Sequence, residues 1–305
     1  MNHDIPMHQK LKQPFYSLGN KLIDYFAKLG IAFASGSHFV YQSPYYIQHK
    51  EEKDAIFLLG KLPEKIEIND EIRRHFQYIS LPRVLGEGYV FVGDFANLWE
   101  LTSNDRYHFW KCVRPFANNL IHTFLPSCGI SNKLGAYPII HFRCSDVPFS
   151  RHGFYHFQRY SFFIDSLNEL ASKCVDVSKV YIMYSFSHES RERDVIASKT
   201  YLSALKTHLE KHNYSVELVS QDPASDFVSL FYAPAVISTC SSFSFVAGFF
   251  GNGIFITEGH YNEDAGGTIT CSPCYAPFVK KGYSLNHCRV PDYYDTEKVI
   301  HHLMS

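Results

Sequence analysis

The chain has 305 residues, 46% of them hydrophobic and 19% charged, a globular composition long enough for two domains of ordinary size. Its 29 Lys and Arg stand against 30 Asp and Glu, a balance that argues against a nucleic-acid binder working through a basic surface. No run approaches the roughly 18 apolar residues of a membrane span, and the opening MNHDIPMHQKLKQ lacks the apolar centre of a secretory signal, so a soluble, cytoplasmic protein with reduced thiols is expected.

In chain order, the first predicted element is a helix over about 20–34. Short strands follow at HFVYQ, AIFLL and GYVFVGD, then helices near 95–101 and 107–124. The stretch from Pro126 to Gly135 reads as a linker and divides the chain into domains at 1–130 and 131–305, with the last helix a candidate to pack back on the first domain. The second half is more regular. Strands at YPIIHF, KVYIMYSF, YSVELVS, AVISTC and GIFIT alternate with helices at 154–172, 194–212, DFVSLFYA and FSFVAGFF. Asp194 is the expected N-cap of the second of these helices. Continuous apolar strands separated by helices imply a parallel, doubly wound α/β sheet, which binds ligands at the carboxyl ends of its strands.

Two such ends carry polar residues. His141 and Arg143 follow the YPIIHF strand and share one face of it, with Asp146 in the next turn. Arginine is a permanent planar cation suited to clamping a diphosphate. At the second end, Ser241 and Ser242 sit between AVISTC and a short helix, where small hydroxyl residues cap a helix or frame a phosphate site. Asp226 opens the preceding helix. It is either an N-cap or a base reader, because a carboxylate accepts two hydrogen bonds from guanine and only one from uracil. Gly19 and Asn20 fit a tight turn at the start of the first helix. A single C-x-x-C at Cys271 and Cys274, followed by His287 and Cys288, has zinc-like spacing but reads as ordinary thiols, and no metal site is expected.

These four segments, in this order, resemble the fucosyltransferase superfamily of α-1,2-, α-1,6- and protein O-fucosyltransferases. Its G-x-x-G-N-Q turn corresponds to SLGNK at 17–21, its H-x-R-x-x-D to His141, Arg143 and Asp146, and its D-to-S-S-x-S segment to Asp226 through CSSFSF. The likeness runs over about 17–257. It implies a GT-B-like fold, two Rossmann-like domains facing a cleft, with the nucleotide-sugar site mainly in the second. It places Arg143 on the β-phosphate, His141 and Asp226 near guanine, and Ser241, Ser242 and the Phe243 backbone on the phosphates. Gly19 and Asn20 approach from the other domain.

The implied activity is that of an inverting, metal-independent glycosyltransferase, without cofactor, moving fucose from GDP-fucose to a hydroxyl of a glycan. Alternatives are the same fold with UDP-xylose or GDP-mannose as donor, and a non-catalytic glycan- or nucleotide-binding protein. The chain departs from the family at Tyr16, Lys21, Cys144 and Arg151, where the family carries glycine, glutamine, a second arginine and, in the α-1,6 branch, a glutamate. Asp146 is the first candidate for the base that takes the acceptor proton. His38 and His152 follow it, and with Arg151 they are candidates for an acceptor or sugar wall.

Overall fold

The computed structural model describes residues 18–41, 58–77, 103–144, 149, 157–186, 191–239, 241–257, 261–262, 268–269 and 292–304. The GYVFVGD strand, the helix near 95–101, and Asp146, Arg151, His152, Cys271, Cys274, His287 and Cys288 lie outside these residues.

The N-terminal part contributes α1 (Leu18–Ala34), the antiparallel pair β1 (Phe39–Val40) and β2 (Lys65–Ile66), α2 (Asp70–Phe76) and α3 (Ser103–Phe124). The end of the AIFLL segment is a tight turn of helix at Leu59–Lys61, not a strand. Then comes a regular alternation: β3 (Ile139–His141), α4 (Tyr160–Ser172), β4 (Lys179–Met183), α5 (Glu192–Lys211), β5 (Ser215–Val219), α6 (Pro223–Tyr232) and β6 (Ala235–Ser238). It closes with α7 (Ser242–Ser244), which runs into a wider π-turn at Phe245–Phe249, and β7 (Ile254–Thr257). A short antiparallel pair, β8 (Tyr261–Asn262) and β9 (Thr268–Ile269), and helix α8 (Thr296–Met304) complete the described chain.

Strands β3 to β7 form one parallel sheet in the order β5-β4-β3-β6-β7. The chain therefore builds outward from β3 in one direction, then returns to build outward in the other. The reversal lies between β3 and β6, the position at which doubly wound sheets open a ligand crevice. Alternation along the strands explains why helices cover both faces. Ile139, Tyr181, Met183, Val219 and Val236 point into one hydrophobic cluster, and Ile140, Val180, Ile182, Ala235 and Ile237 into the other.

The first face is covered by α6, α7 and its π-turn together with α1 and α3, whose Phe26, Phe33, Trp110 and Ile121 belong to the same cluster. The opposite face is covered by α4, α5 and α8, and Val299 and Leu303 of α8, which packs on α4 and α5, belong to that cluster.

Several expected helix starts are corrected. Helix α1 is already helical at Leu18, so Gly19 and Asn20 lie within the helix and do not form a tight turn before it. α5 begins at Glu192, and Asp194 lies inside its first turn, where its carboxylate accepts from the Tyr294 hydroxyl at 2.5 Å and from Arg191 Nε at 3.2 Å. α6 begins at Pro223, with Asp222 rather than Asp226 as its cap. An aspartate followed by proline suits these positions, since the proline ring is preset for helix and lacks only an N–H that would have no partner there. In addition, α4 starts at Tyr160, and residues 157–159 before it are not helical.

Candidate active site at the sheet reversal

The crevice is built from the exits of β3 and β6. His141 ends β3 and stands in register with Ser238, which ends β6. Thr239 then ties the two strands together beyond the sheet. Its N–H and its Oγ1 both donate to the His141 carbonyl, at 3.2 and 3.1 Å, and its Oγ1 accepts from Arg143 N at 2.9 Å. The backbone that carries Arg143 away from the sheet is thus held at a fixed place, and Arg143 is half-buried there.

His141 packs its ring against Phe243, with centroids 5.9 Å apart and planes 38° apart. Its Nδ1 is buried without a hydrogen-bond partner among the described residues. Burial, with the neighbouring Arg143 cation, drives its proton affinity down to about 3, so the ring is neutral at physiological pH. A neutral imidazole beside a permanent cation can donate or accept a hydrogen bond without competing for an anionic ligand.

Phe243 is the meeting point of the site. Its ring meets Phe227 edge-on at 5.9 Å, and Phe227 follows Asp226 in α6. From the other side, Gly19 of α1 comes so close that a Cβ on it would lie 2.4 Å from Phe243 N and 2.6 Å from Phe243 Cα. Only glycine allows that approach. The helix itself is anchored to its strand: Ser244 Oγ and Ser238 Oγ are 2.6 Å apart, and Ser238 Oγ donates to the Thr239 carbonyl at 2.7 Å. Ser241 and Ser242 are both buried at this turn, and Ser241, the N-cap residue, makes no side-chain capping bond.

Asp226 is buried in the first turn of α6, released from capping by Asp222. Burial pushes its carboxyl up to about 7; the Gln221 amide opposes that shift and the nearby Asp222 adds to it. Gln221 Nε2 lies 3.4 Å from Asp226 Oδ1.

Of the residues expected to act together, His141, Arg143, Asp226, Ser241, Ser242, Phe243 and Gly19 come to this one edge, and half-buried Asn20 follows Gly19 in α1. His38 stands elsewhere, beside β1 and β2, where its Nδ1 accepts from Ile68 N at 3.1 Å. That nitrogen is therefore not available as a base. Three contributors were not singled out from sequence: Thr239, Gln221 and the cap Asp222. The Asp222-Pro223 dipeptide was a readable signal for the cap. Thr239 and Gln221 had none, because their roles depend on partners distant in the chain or across a turn.

Among the described residues no group of three His, Cys, Asp or Glu could hold a metal ion, and no helix is long and apolar enough to cross a membrane. Along the edge lie one permanent cation, one neutral imidazole, one buried carboxyl and small hydroxyl groups. Such a set can bind a polyanion through the cation and read a neutral heterocycle through the other groups. Compared with known proteins, the chain matches no family model, no curated protein and no solved structure.

Proposed function

We propose that this crevice binds a nucleoside diphosphate sugar and that the chain is an inverting, metal-independent glycosyltransferase of GT-B type, with GDP-fucose as donor and a glycan hydroxyl as acceptor. The observation that carries this reading is the convergence around Phe243 of segments at Gly19, His141, Asp226 and Ser242, at the reversal of a parallel sheet. Packing alone gives no reason for an arginine and an imidazole at the exit of β3 and a buried carboxyl at the start of α6, on the same edge of the sheet.

In this mechanism the acceptor oxygen attacks the anomeric carbon from the face opposite the diphosphate. The new C–O bond forms as the bond to the β-phosphate oxygen breaks, and the electron pair leaves with GDP. Arg143 stabilises the charge that develops on the departing diphosphate, which is the contribution a metal makes in other transferases. The acceptor proton goes to a carboxylate, for which Asp146, three residues beyond Arg143, is the first candidate. Asp226 receives the two donors of the guanine edge, with His141 beside it.

A panel of GDP- and UDP-sugars assayed for donor hydrolysis, and then for transfer to glycans, tests the reading. GDP-fucose turnover is expected, and Arg143→Ala should lower it at least about a hundredfold with thermal unfolding unchanged. A fully active Arg143→Ala enzyme would remove the phosphate-clamp role. Preference for UDP-sugars would remove the guanine role of Asp226, and nucleotide binding without turnover would leave a binding protein.

A further inference from the structure

Asp226 is held by a neighbour at the same edge of the sheet. Gln221 lies two residues past the end of β5, and its amide nitrogen is 3.4 Å from Asp226 Oδ1 and 3.2 Å from Ser229 Oγ. Ser229 is buried three residues further along α6. A primary amide nitrogen carries two hydrogens, so one can serve each partner, and a carboxylate neighbour requires the nitrogen rather than the oxygen to face it. The last torsion of an aspartate is broad, so an isolated carboxylate turns freely. A donor that is itself held by Ser229 removes that freedom. The Gln221 backbone N–H bonds the carboxyl as well, so of the four lone-pair sites two are taken and two are left for a ligand. The same amide also opposes the upward push of burial on the carboxyl, favouring the charged form.

Resting on the nucleotide reading above, the geometry points to Gln221 as a specificity-determining positioning residue: it holds Asp226 as a planar pair of acceptors and thereby selects a base with two adjacent donors. Guanine offers its ring N1–H and its exocyclic amine. Hypoxanthine offers only the ring N–H, and uracil likewise one donor. Without the Gln221 amide the carboxyl keeps only the backbone bond, turns more easily and takes up a proton more readily, and a protonated carboxyl presents one donor and one acceptor, which no longer complements guanine. The phosphate contacts, assigned to Arg143 on a different strand, are untouched by this change.

The test is calorimetric titration of GDP, IDP and UDP into the full chain, as wild type, Gln221→Ala and Ser229→Ala. Wild type should bind GDP about tenfold more tightly than IDP, the difference of one charge-assisted hydrogen bond. Gln221→Ala should bring GDP down to the IDP level while IDP and UDP stay within about twofold of wild type. Ser229→Ala should lose part of the GDP preference, and it provides the answer if Gln221→Ala does not fold. An unchanged GDP-over-IDP ratio in both variants overturns the inference, as does an equal loss of all three nucleotides. A wild type that binds GDP and IDP alike sinks this role while leaving the nucleotide site standing; a wild type that binds no nucleotide removes the nucleotide site itself.

Discussion

Two helices start at the same carboxyl edge of the sheet, α6 and α7, and their free N-terminal amides are treated in different ways. α6 is completed by its own sequence. Asp222 accepts from Ala224 N at 3.1 Å, from Ser225 N at 3.0 Å and from Ser225 Oγ at 2.6 Å, with Pro223 at the first helical position. α7 has no such closure. The Ser241 side chain makes no capping bond, while its carbonyl takes the Phe245 N–H at 3.0 Å and the Ser244 hydroxyl at 3.3 Å. The turn is held instead by neighbours from elsewhere: Gly19 of α1, His141 of β3, Phe227 of α6 and Ser238 of β6. One helix start is self-contained scaffold, and its cap leaves Asp226 available. The other is a buried turn assembled by tertiary structure, and it is there that the proposed phosphate contacts fall.

Four substitutions separate the two starts, from the largest expected effect to the smallest. Asp226→Asn comes first. Its folded carboxyl titrates at about 7, above the ordinary value of 3.8, so the native state holds the proton more tightly than the unfolded chain. Stability from this group is complete below the unfolded value and is lost as pH rises towards 7, by up to about 4 kcal/mol. Chemical denaturation should therefore find Asp226→Asn near wild type at about pH 4 and increasingly more stable than wild type towards pH 8. A difference that does not vary with pH would contradict the buried carboxyl.

Gly19→Ala is next. The added methyl would press on the Phe243 backbone, which cannot yield as a flexible side chain does, so α1 or α7 must shift. The expected cost is about 1–3 kcal/mol in urea denaturation, with weaker nucleotide binding. Wild-type stability and binding would show that the contact between α1 and α7 is not needed.

Asp222→Ala should cost about 1 kcal/mol by loss of the cap. The Asp222 carboxyl is held below its ordinary range, first by its bond from the Ser225 hydroxyl. Its contribution is thus present at neutral pH and fades as acid protonates it, so wild type and variant should converge below about pH 3.8. Ser241→Ala, with no capping bond to lose, should change stability by under about 0.5 kcal/mol while lowering affinity for nucleotide. Equal costs at Asp222 and Ser241 would erase the contrast between the two helix starts.

Much of this architecture was legible in the sequence because doubly wound sheets bury their strands on both faces. AVI at 235–237 and VYIM at 180–183 are apolar at consecutive positions, and the intervening helices carry apolar residues at helical spacing. Sequence places the start of α6 too late because its apolar run begins at Phe227, whereas the first turn, Pro223-Ala224-Ser225-Asp226, is small and polar. It places the start of α5 too late for a related reason. An aspartate ahead of a helix resembles a cap, and only the tertiary partner Tyr294 gives Asp194 a different role. The π-turn after Ser244 has no sequence signature, since Phe245–Phe249 reads as ordinary apolar helix. At the site, residue types and chain order were readable from sequence. The neutrality of His141 was not, because it follows from burial of Nδ1 and proximity to Arg143.

The most direct test of the central claim is calorimetric titration of GDP and UDP into the full chain, wild type beside Arg143→Ala. Saturable binding at one site is expected in the wild type, GDP tighter than UDP, with at least about a hundredfold loss in Arg143→Ala and the fold intact. Binding of neither nucleotide by the wild type, or undiminished binding by Arg143→Ala, would contradict that claim.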